Sequence, residues 1–116
     1  MPRNMSFMMT TAQMYDRIKT VTRRDGWWFL KPGDRLWAVE KAMGLKKGEK
    51  VKRICMIEVV STRGEPLWQM PPEDCALEGF PEMHPVDFAI MLVEKYGCST
   101  DKVFNRIEFK YLDGGI

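Results

Sequence analysis

The sequence predicts an α+β domain in which five or six strands form a small barrel flanked by two or three helices. Three observations carry this expectation. Val103 to Tyr111 alternates in side-chain character, and Val51 to Val60 carries apolar residues on both faces, so both read as strands. Apolar residues recur at helical spacing from Val86 to Val93, behind Pro85, and read as an amphipathic helix. Strand and helix patterns follow one another in an order that is neither all-β nor a regular βαβ repeat.

Taken in order, Met5 to Met9 is a short apolar run expected as the first strand. Thr10 and Thr11 offer an N-cap, after which Ala12, Met14, Tyr15 and Ile18 give a helical face. The Thr-x-Thr alternation of Thr20 to Arg24 favours an extended backbone, because β-branched side chains lose little freedom on a pleated surface. Asp25-Gly26 ends that strand, and Pro32-Gly33 is a second turn signal. Leu36 to Glu40 is the next strand. The Val51 to Val60 strand bears one carboxylate, Glu58, expected near a strand end or in a wet cavity of the barrel. Pro66 to Pro72 reads as irregular. Pro72-Glu73-Asp74 starts a short helix that stops at Glu78-Gly79, since glycine ends helices. The helix behind Pro85 ends near Tyr96-Gly97, and Val103 to Tyr111 is a half-buried closing strand.

The 116 residues suit one domain, 1–116. With 45% hydrophobic and 29% charged residues the composition is that of a soluble globular protein. A net charge of +2 does not by itself announce nucleic acid. Positive charge is nevertheless clustered, at Lys19 to Arg35 and at Lys46 to Arg53, whereas Glu65 to Asp87 is acidic. Cys55, Cys75 and Cys98 are odd in number and widely spaced, which fits reduced thiols in a cytoplasmic protein and neither a disulfide framework nor a zinc knuckle. His84 has no His or Cys at ligand spacing, so no metal is expected. Nothing reads as a secretory leader or a membrane span.

The chemistry concentrates at Lys19-Thr20-Val21-Thr22-Arg23-Arg24, with an amine, two hydroxyls and two guanidiniums in six positions. On a strand Thr20, Thr22 and Arg24 share one face, and Val21 and Arg23 the other. Lys19 meets Thr22 only if the chain bends where the helical pattern runs out.

In sum, these segments resemble an ASCH domain, a small relative of the PUA-like barrels. The family pattern Gly-x-Lys-x-x-x-x-Arg is met at Lys19 and Arg24, with Arg17 in place of the glycine. Lys31-Pro32-Gly33-Asp34-Arg35-Leu36-Trp37 ahead of Glu40, Glu78-Gly79-Phe80, and Arg106-Ile107-Glu108-Phe109 follow in the family's order. The resemblance implies either RNA binding or the activity of the small bacterial N4-acetylcytidine amidohydrolases, which use a lysine, a threonine three residues on and a later glutamate. Their counterparts by position are Lys19, Thr22 and Glu78.

That set is chemically sufficient. A threonine hydroxyl needs a base to become a nucleophile, and a lysine is that base only when burial or a nearby cation keeps it neutral. Arg23 and Arg24 would supply the cation. Glu78 would orient the lysine or carry a proton to the leaving amine, with Glu40 and Glu58 as rival acids. The oxyanion would be held by Arg24 or by a backbone N–H. Trp27, Trp28 and Trp37 are candidate pyrimidine stackers or core residues. The expected partner is a modified pyrimidine nucleoside. The second reading is an RNA-binding module using Arg23, Arg24 and the Lys46 to Arg53 cluster, and phosphoryl transfer is a third.

Overall fold

The computed structural model describes residues 2–112. Five strands, β1 (Arg3–Ser6), β2 (Val21–Arg24), β3 (Arg35–Val39), β4 (Arg53–Pro66) and β5 (Val103–Leu112), form one sheet in the order β1-β3-β4-β5-β2. Only β1 with β3 is parallel; the other three pairings are antiparallel. Three helices accompany it: α1 (Thr11–Tyr15), α2 (Asp74–Leu77) and α3 (Pro85–Tyr96). The sheet curls into a half-barrel, so this is the α+β architecture expected, with β1 and β2 as free edges. Arg24 spans the seam between those edges, donating from Nη2 to the Ser6 carbonyl at 2.7 Å.

Two apolar layers hold the structure. Inside the curl, Met5, Phe7, Met14, Leu36, Ile57 and Phe109 belong to one buried cluster. On the other face Phe104 of β5 meets Leu67, Cys75 and the α3 residues Phe88 and Leu92. Burying such side chains stabilises each layer by roughly 1.5–3 kcal/mol per large residue.

Several elements depart from expectation. The first strand stops at Ser6, because Phe7 (φ −121°, ψ 43°) leaves the extended region and Met8–Thr10 winds into a 3-10 turn. Thr11 Oγ1 then donates to the Phe7 carbonyl at 2.9 Å. The strand begun at Val51 instead starts at Arg53 and runs on to Pro66, through Gly64. Its whole second half pairs with β5, from Ser61↔Glu108 to Pro66↔Val103, with a register shift between Val59 and Ser61. Since β5 has helices on one side and the curl on the other, Phe104, Asn105, Arg106 and Ile107 are all buried. The closing strand is therefore covered on both faces over its first half. Glu58 faces neither a cavity nor the core; it pairs with Arg35 and Lys110 on the outside, which hold its carboxyl below the usual range. His84 is the N-cap of α3, its Nδ1 accepting from Val86 N at 3.1 Å.

Candidate active site

Two helix ends turn the chain into the site. After α1 the bonds Arg17 N–H to Met14 C=O and Ile18 N–H to Gln13 C=O form a Schellman motif. Its left-handed position is taken by Arg17 at φ 59°. After α2 the same pair of bonds, Gly79 to Ala76 and Phe80 to Cys75, puts Gly79 at φ 102°. The two turns abut. A Cβ on Gly79 would stand 2.8 Å from Gln13 Cγ and 3.4 Å from Lys19 Cβ.

The backbone beside Lys19 is tied on three sides. Tyr111 Oη donates to the Lys19 carbonyl (2.6 Å), Thr20 N–H to Leu77 C=O (2.8 Å), and Phe109 N–H to Thr20 C=O (2.9 Å). Burial pushes the Tyr111 hydroxyl well above its ordinary pKa, so it stays a donor. Lys19 thus extends across the gap and ends at α2, where Nζ donates to the Glu78 carbonyl and to Glu78 Oε1, both at 2.8 Å. Both residues are 3% exposed.

Gly79→Ala follows as a test of this packing. Positive φ and a Cβ against the stem of Gln13 should together destabilise by about 1–3 kcal/mol. Urea unfolding would read the loss, and Gly79→Ser should behave alike.

Glu78 is shared. Its Oε2 accepts from Arg23 Nη1 at 2.9 Å, and Arg23 Nη2 reaches Glu65 Oε1 at 2.7 Å and Asp74 Oδ2 at 2.6 Å. Arg106 completes the cluster by donating Nε and Nη2 to Asp74. The β2–β5 register makes this possible, since Arg23 lies directly opposite Arg106. Three buried carboxylates thus surround three buried cations, Lys19, Arg23 and Arg106. The Arg23 Nε–H has no hydrogen-bond partner among the described residues; three charge-assisted bonds at its Nη atoms outweigh that cost.

These surroundings lower the pKa of both Lys19 and Asp74, for different reasons. Burial lowers that of Lys19 most, and Arg24 and Arg23 add to the effect, against the pull of Glu78. Asp74 sits below the usual carboxyl range, because hydrogen bonds from Arg106 and Arg23 and their charges overcome its burial.

A cavity of about 180 Å³ opens beside this pair at the seam between β1 and β2. Lys19, Glu78, Thr22, Arg23 and Arg24 line one side. Phe7, Met8 and Met9 contribute from the end of β1 and the turn after it, and α3 supplies Phe88, Met91, Leu92, Lys95 and Tyr96. Thr22 Oγ1 accepts from Arg24 Nε at 3.1 Å, and the Arg24 guanidinium lies 4.8 Å over the Phe7 ring. The hydrogen bonds of Lys19 go to Glu78, and none joins Lys19 to Thr22 among the described residues. One position on Nζ is left for a further partner.

No family model and no curated protein matches the sequence. Solved structures do match the fold. Protein EF3133 from Enterococcus faecalis V583, described by the family model DUF984, superposes with a TM-score of 0.67 at 14% identity, covering 97% of this chain and 80% of that one. The ASCH domain from Lactobacillus crispatus JV V101 gives a TM-score of 0.60 at 17% identity, covering 94% of this chain and 78% of that one. The chain has an ASCH-like fold.

Within this ASCH-like domain, Arg17, standing where the family pattern has glycine, takes a positive φ, a conformation that glycine adopts most readily. A non-glycine residue pays about 1–2 kcal/mol for that conformation. Arg17 also stacks 5.3 Å over Tyr111, the residue that holds the Lys19 carbonyl. Five of the expected site residues, Lys19, Thr22, Arg23, Arg24 and Glu78, line one cavity. Trp27 and Glu40 do not. Trp27 turns at φ 60° to pack against the inner core, and Glu40 accepts from Tyr15 Oη at 2.6 Å on the surface. Lys95 and Tyr96 are site residues that no motif marks, although they continue the helical stripe of Phe88, Met91 and Leu92 at the next turn of α3. Glu65 and Asp74 were likewise unassigned, and no local spacing links them to Arg23.

Proposed function

We propose that this protein is an amidohydrolase that removes the acyl group from N4-acylated cytosine nucleosides, with Lys19, Thr22 and Glu78 as its catalytic set and no metal in the reaction. One observation carries the reading: a lysine buried against a glutamate, its pKa lowered, shares a ring-sized cavity with a threonine three residues on. A solvated surface lysine has none of these properties.

In this reading neutral Lys19 takes the Thr22 hydroxyl proton while Oγ1 attacks the acyl carbon. The carbonyl electron pair moves onto oxygen, where a backbone N–H of the cavity wall stabilises it. Collapse breaks the carbon–nitrogen bond, and the exocyclic amine leaves with the proton carried by Lys19. Water, deprotonated by Lys19, then attacks the threonine ester, and Lys19 returns that proton to Thr22 Oγ1 as the acid is released. Glu78 is the positioning group for Lys19, holding Nζ from both its carboxylate and its backbone carbonyl. The apolar side of the cavity, Met91, Phe88 and Leu92, receives the base or the acyl chain.

Incubation with N4-acetylcytidine in the presence of a chelator tests this. Cytidine and acetate should appear on chromatography at an unreduced rate; a wild-type protein that produces neither rules the reading out.

RNA binding is the second reading, and the observation in its favour is the exposed run Lys46, Lys47, Lys50, Lys52 and Arg53, the last stacked 4.3 Å over Trp37. None of these residues lines the cavity, so this reading leaves the Lys19–Glu78 pair without a task. It predicts affinity for single-stranded RNA that falls steeply with salt. Filter binding that shows no retention at low salt would dispose of it.

A further inference from the structure

The cavity carries more positive charge than its own acids neutralise. Lys19 and Arg23 both contact Glu78, and Arg23 also holds Glu65 and Asp74. The two other cations on the wall are different. Arg24 is bonded to neutral acceptors, the Ser6 carbonyl and Thr22 Oγ1, and meets no carboxylate among the described residues. Lys95, one face of α3 away, lies 5.2 Å over the Tyr96 ring and likewise has no carboxylate partner among the described residues. Both line the same cavity, and burial and the Arg24 charge disfavour the charged form of Lys95, against the pull of Glu78. Two like charges at one cavity, from separate elements and with no carboxylate in contact with either among the described residues, lower the free energy of an anion bound between them.

Resting on the deacylase reading, we propose that the site prefers a nucleotide to the neutral nucleoside: its phosphomonoester sits at the rim between Arg24, Lys95 and the Tyr96 hydroxyl, with the acyl amide directed inward to Lys19 and Thr22. The geometry suits this division. Lys95 is exposed at the mouth whereas Lys19 is buried at the far wall, so a ligand spanning them presents its charged end to water and its amide to the base. Guanidinium and ammonium groups both bind phosphate well, and both are present.

Binding measurements read this without turnover, and so separate it from the chemistry. By calorimetry at low salt, cytidine 5′-monophosphate should bind wild-type protein about tenfold more tightly than cytidine, and the preference should shrink as salt rises. In Lys95→Gln, a change at an exposed position that leaves the fold intact, the preference should fall to about two- to threefold. Inorganic phosphate should raise the Tm of wild type more than that of Lys95→Gln, whatever base the site accepts. Equal affinity for monophosphate and nucleoside, or phosphate shifting both proteins alike, would overturn the proposal.

Discussion

Lys19→Ala is expected to lower kcat/KM for N4-acetylcytidine by about three orders of magnitude while leaving a folded protein. The catalytic loss follows from removing the group that accepts the threonine proton, for which general-base contributions of roughly 10²–10⁴ are usual. The fold survives because Glu78 keeps its bond to Arg23, so no carboxylate is stranded. Lys19→Arg should be as inactive as the alanine variant, since a guanidinium does not give up its proton at working pH. The same account fixes a pH profile. Only neutral Lys19 is competent, and burial with Arg24 and Arg23 lowers its pKa from the ordinary 10.5. Activity should therefore rise with pH through a midpoint below that value and level off above it. A steady-state profile falling over that range would be incompatible with lysine as the base.

Arg23→Met is expected to have the largest effect on stability, about 3 kcal/mol, read as a lower urea midpoint at unchanged slope. Breaking a buried ion pair by removing one partner usually costs roughly 3–5 kcal/mol. The lower figure applies here because each carboxylate retains another cation: Glu78 has Lys19, Asp74 has Arg106, and Glu65 has Arg63. Against a total stability of about 5–15 kcal/mol that is a large fraction. The cluster also gives stability a pH dependence. Asp74 has a lowered pKa in the folded state, so its contribution is fully present above the unfolded carboxyl value of about 3.9 and is lost as pH falls below it. Unfolding at neutral and at acid pH should show wild type losing more stability on acidification than Asp74→Asn does.

Much of this was legible in the chain because the decisive signals are local. Glycine after Glu78 marks the end of α2, Pro85 opens α3, and the alternation of Thr22, Arg23 and Arg24 assigns each to its face of β2. The bend that brings Lys19 inward is local too, a Schellman turn, but its left-handed residue is Arg17, which carries none of glycine's signature. The strand pattern of β4 is legible only as far as Val60, and Pro66 opens a stretch that reads as irregular; pairing with β5 from Ser61 to Pro66 extends the strand beyond its local propensity. Trp27 and Glu40 carry suitable chemistry, an aromatic face and a carboxylate, and the structure turns both away from the cavity. Asp74 and Glu65 lie 51 and 42 positions from Arg23, and only the folded sheet and α2 bring them to it.

In the proposed reaction Thr22 attacks the acyl carbon under the control of the buried lysine. Its most direct test is a parallel time course of cytidine release from N4-acetylcytidine by wild type and Thr22→Val, at matched concentrations of folded protein. Valine keeps the shape and removes the oxygen. The account predicts steady release by wild type and none above the no-protein control by the variant. Equal release by the two proteins would contradict it.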